Sequence, residues 1–194
     1  ARRHAKIQGV RYEDLNLVIA HMGGGITVGA HRLGKCIDVN NGLDGDGPFS
    51  PERAGTLPAA DLVRLCFSGK WSESELLSRI AGQAGLVAWL GTSDVREVLS
   101  RIEAGDERAR LVLDAMIYSV AKSIGAQAVA LCGKVDAILL TGGLAHADYI
   151  TSRLRERVSF IAPIHIYPGE NELEALAENA LAVLRGEREV RTYV

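Results

Sequence analysis

Two glycine-rich segments, each preceded by a run of apolar residues, constrain this chain more than any other feature of its sequence. They are Leu17–Gly25, which reads LVIAHMGGG, and Ala137–Gly143, which reads AILLTGG. Glycines at the end of a strand leave backbone N–H groups open to close approach, because no Cβ lies in the way. Such N–H groups form concavities that bind phosphates. Either segment alone is equally typical of a tight turn, but the pair predicts a nucleotide held from two sides.

The composition narrows the class of protein. The chain has 194 residues, the usual length of one domain, and its 22 Lys and Arg nearly balance 24 Asp and Glu. We therefore expect no nucleic-acid partner. No apolar stretch reaches the length of a membrane span, so we expect no membrane association. The three widely spaced cysteines argue against a disulfide framework or a zinc site and favour a cytoplasmic location.

The order of predicted elements indicates an α/β domain. Glycine-bearing connections predict three antiparallel strands, which are followed by a block of helices and then by a β–α–β–α order. The strands are expected at Leu15–Met22, Ile26–His31, Lys35–Asn40, Asp136–Thr141 and Phe160–Tyr167. Asp106–Leu131 is apolar on several sides and is expected to be the buried central helix. This order predicts a mixed sheet flanked by helices.

Common nucleotide-binding motifs are absent. A Walker A loop requires Gly-Lys-Ser/Thr, and Ser or Thr follows none of the Gly-Lys pairs in the chain. The dinucleotide pattern G-x-G-x-x-G is also missing.

The arrangement resembles the ribonuclease H-like nucleotide-binding domain shared by acetate kinases, sugar kinases, Hsp70 and actin. Five ordered blocks narrow the resemblance to the butyrate kinases, within the acetate kinase family of acyl kinases. These blocks are residues 21–31, 38–55, 91–98, 141–146 and 167–173. The chain departs from acetate kinases at Gly24, where that family usually has Asn, and after Arg53, where Ala-Gly-Thr replaces Ser-Gly-Asp. These departures favour a fatty acid longer than acetate.

The resemblance implies an organisation and a reaction. Residues 1–14 are expected to be the tail of a helix leading from a missing N-terminal domain, and 15–194 the C-terminal nucleotide-binding domain. The implied reaction is ATP-dependent phosphorylation of butyrate, or of a related short- or branched-chain fatty acid, to the acyl phosphate. ATP and Mg²⁺ are the implied cofactors, and a homodimer formed through this domain is the implied assembly. Because the other domain would supply further catalytic groups, we expect this chain alone to be inactive.

The resemblance also implies roles for individual residues. Arg53 matches the catalytic arginine of the family, and its planar guanidinium suits the charge that spreads over the oxygens of a transferring phosphoryl group. The alternative is that Arg53 braces its loop by pairing with Asp44 or Asp46. Glu172 is expected near the metal ion, with Glu170 as the alternative. The expected nucleotide-binding residues are His21, Gly23, Gly24, Gly25, Asp94, Arg96, Gly142, Gly143 and Leu144.

Other interpretations stay open at this point. His21 fits a buried structural histidine equally well, and Asp94 fits a carboxylate that stabilises the first turn of a helix. The chain also fits another acyl or sugar kinase of the same superfamily, including an acetate kinase, although the Pro48–Gly55 loop argues against this. Another interpretation is a non-catalytic ATP-binding or assembly domain of the actin and Hsp70 superfamily. In such a domain, Arg53 would have no chemical role.

Overall fold

The computed structural model describes residues 1–169, 172–187 and 189–190, apart from the side chains of Glu172 and Glu174. One mixed sheet has the strand order β3-β2-β1-β4-β5. β1 is antiparallel to β2 and β2 to β3, whereas β4 runs parallel to both β1 and β5. The strands are β1 (Asn16–Met22), β2 (Ile26–Arg32), β3 (Lys35–Val39), β4 (Ala137–Gly142) and β5 (Ile164–Pro168). The predicted α/β architecture with a mixed sheet is confirmed.

The described part of the chain places helices on both sides of this sheet. They are α1 (Arg2–Gln8), α2 (Ala59–Cys66), α3 (Glu73–Ala81), α4 (Gly85–Leu90), α5 (Val95–Glu103), α6 (Glu107–Ala130), α7 (Asp148–Val158) and α8 (Glu172–Leu184). The long helix α6 packs against β1 and β2, as the apolar segment predicted. The short helix α4 has no clear sequence signal and was not predicted. No helix among the described residues is both long and apolar enough to cross a membrane.

The last strand begins later than its apolar pattern predicted. Residues 160–163 continue the turn that ends α7, with the Ile161 N–H donating to the Val158 carbonyl at 3.0 Å. Pro163 has no N–H, so it cannot donate to a strand ladder, but its carbonyl accepts from the Ile138 N–H at 2.9 Å. The predicted strand over Phe160–Tyr167 is therefore wrong in its first residues, and β5 begins at Ile164.

Strand β1 is apolar because it is covered on both faces. Val18 and Ala20 belong to the core cluster that contains α6. Leu17 lies in a second cluster on the other face, where Tyr167 packs beside it. This explains why the sequence of β1 lacks the polar alternation of a half-exposed strand.

The parallel pairing of β1 with β4 brings the two glycine-rich segments together. His21 pairs with Thr141 in the ladder, so both strands end at the same edge of the sheet. Gly142 follows with φ 88° and ψ 174°, a conformation that only glycine adopts readily. A Cβ on Gly142 would collide with the backbone of Met22. The two turns are thus direct neighbours in space.

Helix α1 packs on the sheet through a buried histidine. His4 is buried, and its Nδ1 lies 2.8 Å from the Tyr167 hydroxyl oxygen. The His165 ring on β5 lies 4.6 Å from the His4 ring, measured between centroids. Burial, reinforced by the neighbouring His165, lowers the pKa of His4 below its usual value. The folded protein therefore favours neutral His4.

This histidine should make stability depend on pH. The pKa of His4 is lower in the folded than in the unfolded state. The contribution of His4 to the free energy of unfolding is therefore complete above the unfolded pKa of about 6.5 and is lost as pH falls. We expect His4→Gln to flatten the decline of the melting temperature between neutral and mildly acidic pH. Thermal denaturation of both proteins across that range measures the difference, and parallel curves would contradict the assignment.

Candidate functional site

The first glycine turn, residues 23–25, lies under a loop from the middle of the chain. Within the turn, the Gly23 N–H donates a hydrogen bond to the Gly25 carbonyl at 3.0 Å. The Gly24 carbonyl accepts a hydrogen bond from the Ser50 hydroxyl at 2.7 Å. It also accepts one from the Glu52 N–H at 3.3 Å. The turn and the loop therefore form one unit.

Polar side chains hold the loop that follows β3 in place. Asn40 accepts from the Val28 N–H at 2.7 Å and donates to the Asp46 carbonyl at 3.0 Å, which ties the start of the loop to β2. Asp46 accepts from the Thr56 hydroxyl at 2.9 Å and from the Gly47 N–H at 2.7 Å. These hydrogen bonds, that of Thr56 first, lower the pKa of Asp46. The loop is long but well fixed.

Ser50 organises the part of this loop that carries Arg53. Its side chain is completely buried, and its hydroxyl accepts from the Arg53 N–H at 3.1 Å while donating to Gly24. Ser50 was not predicted from the sequence. The available signal was a Ser-Pro pair, which marks a turn, directly before the Glu-Arg pair.

Arg53 lies directly over the first glycine turn. A Cβ on Gly25 would collide with its guanidinium group, so the glycine leaves the space that the arginine occupies. Its Nη1 donates to the Gly42 carbonyl. The pairing with Asp44 or Asp46 that we considered is not found, since Asp44 accepts from the Asn41 amide at 2.6 Å and Asp46 from Thr56. An arginine has five N–H donors, so others remain to contact a ligand.

The second glycine turn opens into a cavity of about 660 Å³. Asp94, Arg96, Gly143 and Leu144 all line it, so the structure brings these four predicted residues together. Gly143 is exposed, and a Cβ there would meet nothing within 4 Å. Gly142 by contrast supports the fold, as its contact with Met22 indicates.

Asp94 and Arg96 form an ion pair at the rim of this cavity. Arg96 Nη2 lies 2.7 Å from Asp94 Oδ2, and the Asp94 carboxylate also caps α5 by accepting from the Arg96 N–H at 2.9 Å. The Arg96 side chain, and then its N–H, lower the pKa of Asp94 to about 2. Asp94 therefore stabilises the helix start, as the alternative interpretation proposed, and also borders the cavity.

His21 faces a different cavity. It alternates with Met22 along β1 and lines a space of about 300 Å³ with Tyr167, Thr141 and Ile19 on the face of the sheet that α1 covers. The structure therefore does not bring His21 into the cavity beside Gly143.

The predicted metal ligand falls outside the part of the chain that the structure describes. Neither Glu170 nor the side chain of Glu172 belongs to the described residues. Those residues contain no group of three or more His, Cys, Asp or Glu side chains arranged for a metal ion. One carboxylate, that of Glu52, does lie over the first glycine turn: a Cβ on Gly24 would stand 3.2 Å from Glu52 Oε2. Glu52 was not predicted from the sequence, although it is the neighbour of Arg53.

Comparison with known proteins identifies the family. Residues 1–182 match the acetokinase family. The whole chain is 62% identical over 193 residues to a probable butyrate kinase of Bacteroides thetaiotaomicron, of which it covers 55%. It is 55% identical to butyrate kinase 2 of Clostridium acetobutylicum, of which it covers 54%. The chain thus spans about half the length of these curated relatives.

A solved structure gives the same result for the fold. The crystal structure of Porphyromonas gingivalis acetate kinase superimposes with a TM-score of 0.86 at 24% identity, over 94% of this chain and 52% of that chain. The predicted kinase-like fold is therefore confirmed. Together with the family match over residues 1–182, this likeness leads to one conclusion. The chain belongs to the acetokinase family.

Proposed function

We propose that the full-length protein is an ATP-dependent acyl kinase and that this chain is its nucleotide-binding part. The substrate is butyrate or a related short- or branched-chain fatty acid, and the products are ADP and the acyl phosphate. The observation that carries the proposal is the meeting of the two glycine turns at one edge of the sheet, with Arg53 over the first of them. The 62% identity to a probable butyrate kinase supports the choice of acid.

Each part of the site has a role in this reaction. A carboxylate oxygen of the acid attacks the γ-phosphorus, and the bond from that phosphorus to the oxygen of the leaving ADP breaks. The backbone N–H groups of Gly24 and Gly25 hold phosphate oxygens, as glycine turns do, because that of Gly23 already donates within the turn. Arg53 stabilises the charge on the transferring phosphoryl group. The cavity between Asp94 and Leu144 receives the nucleoside end of ATP.

We also propose that the nucleotide binds with Mg²⁺. Such an ion neutralises phosphate charge, and it is usually held by one or two carboxylates together with the phosphates and water. The Glu52 carboxylate, which lies over Gly24, fits such an ion. Glu172, the ligand predicted from the sequence, remains a second proposal.

We further propose a cytoplasmic homodimer formed through this domain. Helices α2 and α3 bury none of their own residues against the rest of the chain. Their apolar side chains include Val63, Phe67 just beyond α2, and Leu77, and all are exposed. A partner subunit would cover such a surface. The three cysteines are free thiols, which suits the reducing cytoplasm.

An acid-dependent kinase assay tests the proposed reaction. The full-length protein, given Mg·ATP and a series of straight and branched acids, should form acyl phosphate that hydroxylamine traps as the hydroxamate. We expect kcat/KM to be higher for butyrate or a branched acid than for acetate. Nucleotide binding without acid-dependent ADP formation would instead indicate a non-catalytic ATP-binding domain and would overturn the proposal.

A further inference from the structure

The Glu52 carboxylate has an unusual position for a site that binds phosphates. It lies over Gly24, the exposed residue of the first glycine turn. None of the ion pairs found among the described residues includes this carboxylate. The turn that we assign to phosphate binding therefore carries a negative charge over Gly24 beside the positive charge of Arg53 over Gly25.

The backbone beneath Glu52 is fixed on both sides. Its N–H donates to the Gly24 carbonyl at 3.3 Å, and its own carbonyl accepts from the Ala84 N–H at 3.3 Å. The preceding carbonyl, that of Pro51, accepts from the Val87 N–H at 3.1 Å. The loop thus holds the Glu52 backbone beside the turn, so its flexible side chain stays within reach of a ligand bound there.

The other carboxylates of the same loop are already engaged. Asp44 accepts from the Asn41 amide at 2.6 Å, and Asp46 from the Thr56 hydroxyl at 2.9 Å. These two side chains have internal structural roles. Glu52 is the carboxylate of this loop, within the described chain, that is left to act on a ligand.

Charge determines what Glu52 can do there. Phosphate oxygens held by the glycine turn would be repelled by the exposed Glu52 carboxylate a few ångströms away, and each charge of a bare triphosphate adds to this repulsion. A divalent cation between the carboxylate and the phosphate turns this repulsion into a net attraction, because the cation attracts both groups. The same residue thus disfavours a bare polyphosphate and favours a metal-bound one.

We propose that Glu52 makes the first glycine turn selective for nucleotide in its divalent-metal complex. It repels metal-free ATP and interacts with the cation of Mg·ATP or with water bound to that cation. This inference rests on the proposed function, because it assumes that the turn binds the phosphates of ATP. Glu52 acts on binding and needs no role in the chemical step.

Calorimetric titration of the full-length protein tests this selectivity. The affinity for ATP is measured once with excess EDTA and once with excess Mg²⁺, for wild type and for Glu52→Gln. We expect the variant to bind metal-free ATP about tenfold more tightly and Mg·ATP about tenfold more weakly, because the charge that distinguishes the two forms is gone. Glu156→Gln removes the same charge from the exposed face of α7 and should behave as wild type.

The outcomes separate this inference from the proposed function. If wild type binds Mg·ATP and Glu52→Gln keeps the wild-type ratio of the two affinities, the inference is wrong and the proposed function stands. If both affinities change by the same factor in the same direction, Glu52 only shapes the turn, and the inference is again wrong. If wild type binds neither form of ATP, the proposed function fails, and the inference fails with it.

Discussion

Arg53→Ala should lower kcat of the full-length protein by a factor of about 10³ or more while the dissociation constant of Mg·ATP changes little. Comparable losses follow removal of arginines that stabilise phosphoryl transfer in other enzymes. Bound ATP is held by backbone N–H groups and by its metal ion, whereas the guanidinium is needed where charge lies in the transition state. Steady-state kinetics and nucleotide titration of the same preparations measure the two quantities.

The position of Arg53 explains why its removal should affect kcat and not the binding of Mg·ATP. One of its donors is engaged by the Gly42 carbonyl, which fixes the side chain over Gly25. The remaining donors are available to phosphoryl oxygens at the same turn. Arg53→Lys should recover little of the lost rate, because an ammonium group cannot reproduce the planar, two-pronged contact.

Arg101 gives a matched control for a bracing role. Its Nη2 lies 2.7 Å from Asp106 Oδ2, and its Nη1 donates to the Leu90 carbonyl at 2.9 Å, so its contacts are internal. Arg101→Ala should lower the melting temperature and leave kcat per folded molecule unchanged. If Arg53→Ala behaves in the same way, Arg53 braces its loop and has no part in the chemistry.

The sequence was informative where a local pattern has one physical meaning. A glycine run at the end of an apolar strand predicted both turns, and the parallel pairing of β1 with β4 explains why turns far apart in sequence meet. The spacing of Ser72 and Glu75 is likewise a local pattern, that of a capping box, and both reciprocal hydrogen bonds are present at the start of α3. In these cases the neighbours along the chain determine the structure.

Contacts between distant segments could not be predicted in this way. Ser50 and Glu52 acquire their positions from hydrogen bonds to Gly24, which lies a whole hairpin earlier in the chain. The Ser50-Pro51 pair marks a turn, but no local pattern shows that Ser50 and Glu52 contact Gly24. The partner of Arg53 was missed for the same reason. The sequence suggested a loop carboxylate, whereas the structure shows the Gly42 carbonyl. The family resemblance could name the arginine but not its surroundings.

Substitutions of the adjacent Gly142 and Gly143 should have different effects, the first on folding and the second on nucleotide binding. Gly142→Val should prevent stable folding, because its conformation, φ 88° and ψ 174°, is essentially restricted to glycine. That conformation alone costs a side chain about 1–3 kcal/mol. Collision with the Met22 backbone adds to this, so the free energy of unfolding should fall beyond the range of ordinary substitutions. Circular dichroism and thermal denaturation measure the loss, and Gly142→Ala should show the same defect.

Gly143→Val should leave the fold intact and weaken ATP binding by about tenfold or more, since a branched side chain would stand where the nucleotide must approach the backbone. Nothing lies within 4 Å of a Cβ at this position, so the protein itself accommodates the new group in the 660 Å³ cavity.

Gly24→Val tests the first turn in the same way, because only the flexible Glu52 side chain, 3.2 Å from such a Cβ, would have to move. Unchanged affinity in both folded variants would show that the turns do not bind nucleotide. For Gly143→Val, a melting temperature near that of wild type together with lost affinity would place the ligand at the glycine backbone, because a Cβ at Gly143 meets nothing of the described structure within 4 Å.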